Sequence, residues 1–168
     1  MPTFKRPSFE PGVQLDQTRT NYYVHAGPAF EVTPSGVDLV CDAQGDGAVP
    51  EPPGAAYWDP DAGRVFAPEG RDIDVFVRLG VVKTSTTTPR RIRYTLDIGP
   101  EGSPVVIDEG DVEAQRNVLI GGLRRPRIAL PPLFAGPTFA ANGLRITLST
   151  DRGALSCAES EVRVRTLP

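Results

Sequence analysis

I-D-V-F-V-R-L, residues 73–79, and R-I-R-Y-T-L-D-I, residues 91–98, decide the fold class. In the first, Ile73, Val75, Val77 and Leu79 alternate with Asp74, Phe76 and Arg78. In the second, Ile92, Tyr94, Leu96 and Ile98 alternate with Arg91, Arg93, Thr95 and Asp97. A period of two gathers the large apolar groups on one side of a pleated strand. Each stretch therefore reads as a strand with one buried and one wet face, the habit of antiparallel sheets. The stretch between them, V-V-K-T-S-T-T-T-P-R, is β-branched and polar, so the two read as the arms of one long hairpin.

Outward from this pair the chain breaks into short pieces. Its 168 residues include 18 Pro and 17 Gly. Together these make about a fifth of the chain, well above average usage. Few windows escape a breaker, so long helices are nearly excluded. L-R-I-T-L-S-T after Asn142-Gly143 repeats the alternation with Leu144, Ile146 and Leu148. Val162 and Val164 alternate with Arg163 and Arg165 near the end, after a separate short strand over Ala154–Cys157. Residues 22–26 read as a first strand. Ala29–Val32 and Val37–Cys41 read as a hairpin around P-S-G, and residues 55–67 as a second one around D-P-D-A-G. D-E-G-D at 108–111 reads as a turn between strands at 105–107 and 112–119. Arg127–Leu130 reads as a strand, and Leu133 to Phe139 as a loop. Eight to ten strands at a spacing of roughly ten residues describe a sandwich or barrel. The expected organisation is an extended Pro-rich arm over 1–21, a small β-hairpin module over 22–71 that could also belong to the sandwich, and a β-sandwich over 72–168.

Composition limits the chemistry. The formal charge is −3 and the sequence pI is about 5.2. A protein built to meet nucleic acid phosphates needs a positive field, so nucleic acid is not an expected partner. No apolar run is long enough for a membrane span, and the N-terminus has no signal-peptide pattern, so neither membrane nor export is expected. Two cysteines, Cys41 and Cys157, fall in strand-like segments and read as buried free thiols, with a bridge as the alternative if their strands are neighbours.

His25 is the one histidine, with no titratable neighbour in sequence at useful spacing, so it reads as a structural residue at a strand end. No nucleophile elbow, P-loop or H-E-x-x-H occurs. The carboxylates at 42, 46, 59, 61, 108, 109 and 111 fall in turn-forming sequence and match no EF-hand spacing. No catalytic residue, metal or cofactor is expected. Arg outnumbers Lys 16 to 2. Arg90, Arg91 and Arg93 form one cluster, and Arg124, Arg125 and Arg127 another. Lacking interleaved aromatics, the second suits carboxylates on a protein partner better than a nucleic acid. In the arm, Phe4, Arg6, Phe9, Val13 and Leu15 are candidate partner contacts. Tyr57 and Trp58 are candidates for stacking on a sugar ring, with core packing as the ordinary alternative.

D-I-D-V-F-V-R-L, R-I-R-Y-T-L-D-I, R-I-A-L-P-P, N-G-L-R-I-T-L-S and V-R-V-R-T-L together resemble the jelly-roll-like β-sandwiches of tailed-phage virion structural proteins. The resemblance covers a little over half the chain and is one of pattern rather than of a specific motif. It implies an all-β, antiparallel jelly-roll-like sandwich with no enzymatic activity, resident in a virion as a capsid decoration or minor capsid protein. The partners it implies are major capsid or other virion proteins, and further copies of the chain, commonly as a trimer. A tail- or spike-associated adaptor and a carbohydrate-binding module are the other readings.

Overall fold

The structure, a computed structural model, describes residues 20–45, 55–83, 89–114 and 122–167. Fourteen strands and one short helix appear among them. In chain order they are β1 (Thr20–Val24), β2 (Phe30–Val32), β3 (Val37–Asp38), β4 (Ala43–Gln44), β5 (Tyr57–Asp59), β6 (Arg64–Phe66), β7 (Asp72–Lys83), β8 (Arg91–Asp97), β9 (Val106–Glu113), β10 (Leu123–Arg124), β11 (Arg127–Ala129), β12 (Leu133–Phe134), α1 (Pro137–Asn142), β13 (Leu144–Thr150) and β14 (Leu155–Thr166). All pairings are antiparallel. They build two sheets that face each other as a jelly-roll-like sandwich.

The first sheet centres on β7 and β14, paired along nearly their whole length. β10, β11 and β12 line the far side of β7; β1 and β2 line the far side of β14, and β4 closes that edge. The second sheet runs β5, β6, β13, β8, β9, with β3 beside β13. The strands between 20 and 66 are divided between both sheets. β14 and β1 touch β5, and β13 touches β2. The β5–β6 end of one sheet thus lies over the β1–β2 end of the other.

The alternation in β7, β8 and β13 does face the core as expected. Ile73, Val77, Leu79, Ile92, Leu96, Leu144, Ile146 and Leu148 are all fully buried between the sheets. Their partners are not the expected ones. The two arms of the presumed hairpin lie in opposite sheets: β7 pairs with β14, setting Val77 beside Val162 and Val75 beside Val164, while β8 pairs with β13 and β9. Alternation tells a strand which face to bury, not which strand to sit beside. Residues 84–90 are enough chain to cross the roughly 10 Å between packed sheets. The same happens at 29–41. Gly36, at φ 85°, closes a turn by donating its N–H to Thr33 O at 3.1 Å, but β2 then joins β14 and β3 joins β13.

Three further segments differ from the sequence reading. D-E-G-D is the middle of β9 rather than a turn, because Gly110 lies opposite Tyr94. A Cβ there would stand 2.4 Å from the Tyr94 hydroxyl, so glycine is what lets the ring lie across the strand. The loop after Leu133 holds α1, with Pro137 in its first turn and Phe139 buried. Ala154–Cys157 and Val162–Leu167 belong to one strand, β14, kept continuous by a bulge between Cys157 and Glu159. The expected hairpin at 55–67 is present, with Tyr57 opposite Phe66 and Trp58 opposite Val65.

Candidate interaction surfaces

Alternation along β5 sends adjacent aromatics to opposite sides. Trp58 points inward and is 1% exposed, and its indole N–H donates to Cys41 O at 2.7 Å. It belongs to the core and offers no face for stacking, which corrects the sequence reading of this residue. Tyr57 is 37% exposed, and its ring stacks on Phe66 at 5.8 Å between centroids. Period two alone could have separated the pair once either residue's side was known.

Phe66 also lines a cavity of about 500 Å³ with Asp38, Asp61, Arg64, Glu101, Asn142 and Arg145. Arg64 is the fixed point of this cavity. It is nearly buried, and its Nη1 donates to Gly99 O at 2.9 Å and Asn142 O at 2.7 Å. Gly143, at φ 72°, makes room for it: a Cβ there would stand 3.0 Å from the Phe66 ring and 3.1 Å from Arg64 Cβ. Arg145 Nε lies 3.6 Å from Asp97, whose other oxygen takes the N–H groups of Gly99 and Val105. Donors, acceptors and an aromatic ring thus converge on one hollow. Nothing in the sequence singled out Arg64, because its partners are backbone carbonyls distant in the chain.

His25 does gain a partner. Asp42 Oδ1 lies 3.3 Å from Nδ1, Nε2 is 2.7 Å from Pro28 O, and the ring edge meets Phe30. The N–H of Ala26, followed by His25, holds the Asp42 carboxyl below the usual range. The pair fastens the end of β1 to the residue that precedes β4. Among the described residues no group of three or more His, Cys, Asp or Glu could hold a metal ion.

Most arginines of the sheet faces pair with carboxylates of the same chain. Glu161, almost fully covered, has Arg78 at 2.5 Å from one oxygen and accepts from Arg163 Nε through the other. Arg91 pairs with Asp111 at 2.7 Å, Arg165 with Asp74, and Arg125 with Glu159 at 3.3 Å. Arg163 also lies over the Tyr22 ring. Of the second arginine cluster, Arg124 and Arg127 are exposed at the β10–β11 edge and form no ion pair among the described residues. Five of the exposed large apolar residues, Val105, Val106, Ile107, Leu123 and Phe134, lie on or beside the edge strands β9, β10 and β12. Phe4, Arg6, Phe9, Val13 and Leu15 lie outside the described residues.

No protein-family model matches the chain, and no curated protein does either. Solved structures do. The structure of Eiger TNF from S. frugiperda superposes with a TM-score of 0.56 at 13% identity, over 89% of this chain and 92% of that one. The structure of the infectious bursal disease virus Gt strain gives a TM-score of 0.42 at 15% identity, covering 89% of this chain but 32% of that one. The chain thus spans about a third of the viral chain's length. At 13% identity the first likeness is one of fold, and the fold is the jelly-roll-like sandwich that the strand patterns imply.

Proposed function

We propose that the chain is a non-enzymatic structural component of a virus particle, a decoration or minor capsid protein of tailed-phage type that binds the shell and stabilises it. The observation that supports this reading is a rigid two-sheet body whose exposed apolar side chains gather at strand edges. Such patches on an otherwise polar surface suit association with protein. The partners are the major capsid protein or other virion proteins, together with further copies of the chain. In this reading Phe4, Phe9, Val13 and Leu15 anchor on the shell while Arg6 pairs with its carboxylates. Deleting residues 1–19 leaves β1 whole. The truncated chain should therefore keep its circular dichroism spectrum and melting temperature, yet no longer co-sediment with shells assembled from the major capsid protein. Full co-sedimentation of the truncated chain would remove the arm from the mechanism.

A second reading, a carbohydrate-binding module at a tail or spike, draws on the hollow beside Tyr57 and Phe66. An aromatic stack next to Arg64, Asn142 and Asp38 offers a ring face together with fixed donors and acceptors, the combination that hydroxylated rings need. On a glycan array, binding by the intact chain should fall at least roughly tenfold on Tyr57→Ala, the equivalent of about 1.4 kcal/mol. Binding unchanged by that substitution, or no binding at all, counts against this reading.

A further inference from the structure

We propose, resting on the carbohydrate-binding reading, that the hollow beside Phe66 takes an acidic saccharide whose one carboxylate docks on Arg64 and Arg145. β6 and β13 pair in a register that sets Arg64 directly opposite Arg145. Both side chains line the same hollow of about 500 Å³, a size that takes a small organic ligand. Like charges directly opposite each other on neighbouring strands repel, a cost that an anion bound between them removes. Arg64 forms no ion pair among the described residues. Arg145 has only Asp97, whose Oδ2 stands 3.6 Å from Nε, too far for a hydrogen bond. The other oxygen of Asp97 is taken by two backbone N–H groups.

The remaining donors of Arg64 have the arrangement that a carboxylate needs. The residue is only 9% exposed. Its Nη1 donates to Gly99 O, in the turn after β8, and to Asn142 O, at the end of α1. The Nε–Nη2 edge has no partner among the described residues. An edge of this kind grips a carboxylate through two parallel N–H···O bonds. Because two carbonyls from different segments pin Nη1, the guanidinium is fixed before a ligand arrives. Less side-chain freedom is then lost on binding.

The rest of the lining selects a ligand with a single acid group. Asp38, Asp61 and Glu101 also line the hollow, and all three are exposed. A nucleic acid or a heavily sulfated polymer would bring many negative charges against them. One carboxylate instead meets a largely desolvated guanidinium, where attraction is strongest, while solvent and salt screen the exposed three. Those same carboxylates accept hydrogen bonds from hydroxyl groups, which a sugar ring carries and the acid end of a peptide side chain does not. Phe66, stacked on Tyr57, supplies an apolar wall for the ring. A neutral sugar would leave Arg64 and Arg145 opposite each other with no anion between them.

The test applies the full chain to an array of carboxylated, sulfated and neutral glycans. Heteronuclear NMR titrations with D-glucuronate, N-acetylneuraminate, D-glucose and N-acetyl-L-glutamate follow. Array binding should be confined to glycans that end in a carboxylated sugar. One of the two sugar acids should bind at least roughly tenfold more tightly than D-glucose and shift the Nε–H signals of Arg64 and Arg145. Arg145→Gln should weaken that binding by roughly tenfold or more, and Arg145→Lys should restore only part of it. Glu101→Gln, an exposed change away from the arginine pair, should keep the melting temperature and tighten binding by about twofold, since it removes a like charge. Neutral glycans bound as well as carboxylated ones would rule out the acid group and leave the carbohydrate reading standing. An array with no binding would overturn both. N-acetyl-L-glutamate bound as tightly as the sugar acids would make this a site for peptide carboxylates and overturn the saccharide. Sugar-acid binding unmoved by both Arg145→Gln and Glu101→Gln would place the carboxylate elsewhere.

Discussion

Between pH 9 and pH 11 the folded chain should lose about 5 kcal/mol of stability through two buried thiols. Burial pushes Cys41 from its ordinary 9.0 up to about 12, against a partial lowering by the Ser160 hydroxyl; burial does the same to Cys157, again to about 12. Above pH 9 the unfolded chain releases both protons while the native chain keeps them. The unfolded state then binds fewer protons, so unfolding becomes more favourable as pH rises. The stability is fully present below pH 9 and is lost as pH climbs toward 12. Each thiol contributes a slope of at most about 1.4 kcal/mol per pH unit. Urea unfolding at pH steps from 8 to 11 measures this, with a Cys41→Ala/Cys157→Ala chain as the control. Tyr94, whose hydroxyl is raised chiefly by desolvation, adds to the trend in the same direction at higher pH, so the interval just above pH 9 is the cleanest. A control chain with the wild-type pH slope would refute the assignment. In the native state at pH 8 neither thiol should react with an aromatic disulfide reagent, and both should react in denaturant.

Trp58→Ala should destabilise the fold by about 4 kcal/mol, a large part of the stability of a domain this size. The indole fills space against both sheets, and deleting it leaves a cavity that the strands cannot close. It also strands the buried Cys41 carbonyl, which then lacks its donor. Trp58→Phe separates the two effects: it keeps most of the packing and should cost only about 1–2 kcal/mol for the orphaned carbonyl. Denaturant midpoints with an unchanged m-value give both numbers. A shift under about 1 kcal/mol for the alanine variant would mean that Trp58 is not a core residue. Tyr57→Ala, one residue away and half exposed, should leave stability nearly unchanged.

The two tryptophan-region residues show how legibility divides in this chain. Strand identity and facing are local properties. In β7, β8 and β13 the alternation of branched apolar and polar residues could be read directly, and the side it buried is the side that is buried. The β5–β6 hairpin was equally legible, because D-P-D-A-G supplies its own turn chemistry between cross-strand partners. The class, all-β and antiparallel with many short strands, followed from these and from the density of Pro and Gly.

Pairing and sites were not local. β7 chose β14, some eighty residues away, over β8, which follows it. Both offered an apolar face, and the deciding term was the full-length register of two long strands plus the second sheet packed over them. The Asp42 partner of His25 and the carbonyls that hold Arg64 likewise come from residues that sequence order keeps apart. D-E-G-D became a strand because a tyrosine on the neighbouring strand needed the space that Gly110 leaves open. By itself, then, the sequence determined which residues turn inward and that the result is a two-layer β protein. Only the tertiary structure decided which strands are neighbours and which charges and apolar groups share an edge. The physical reason is that side-chain alternation acts over two residues, whereas sheet partnership is settled by burial and hydrogen bonding summed over the whole sandwich.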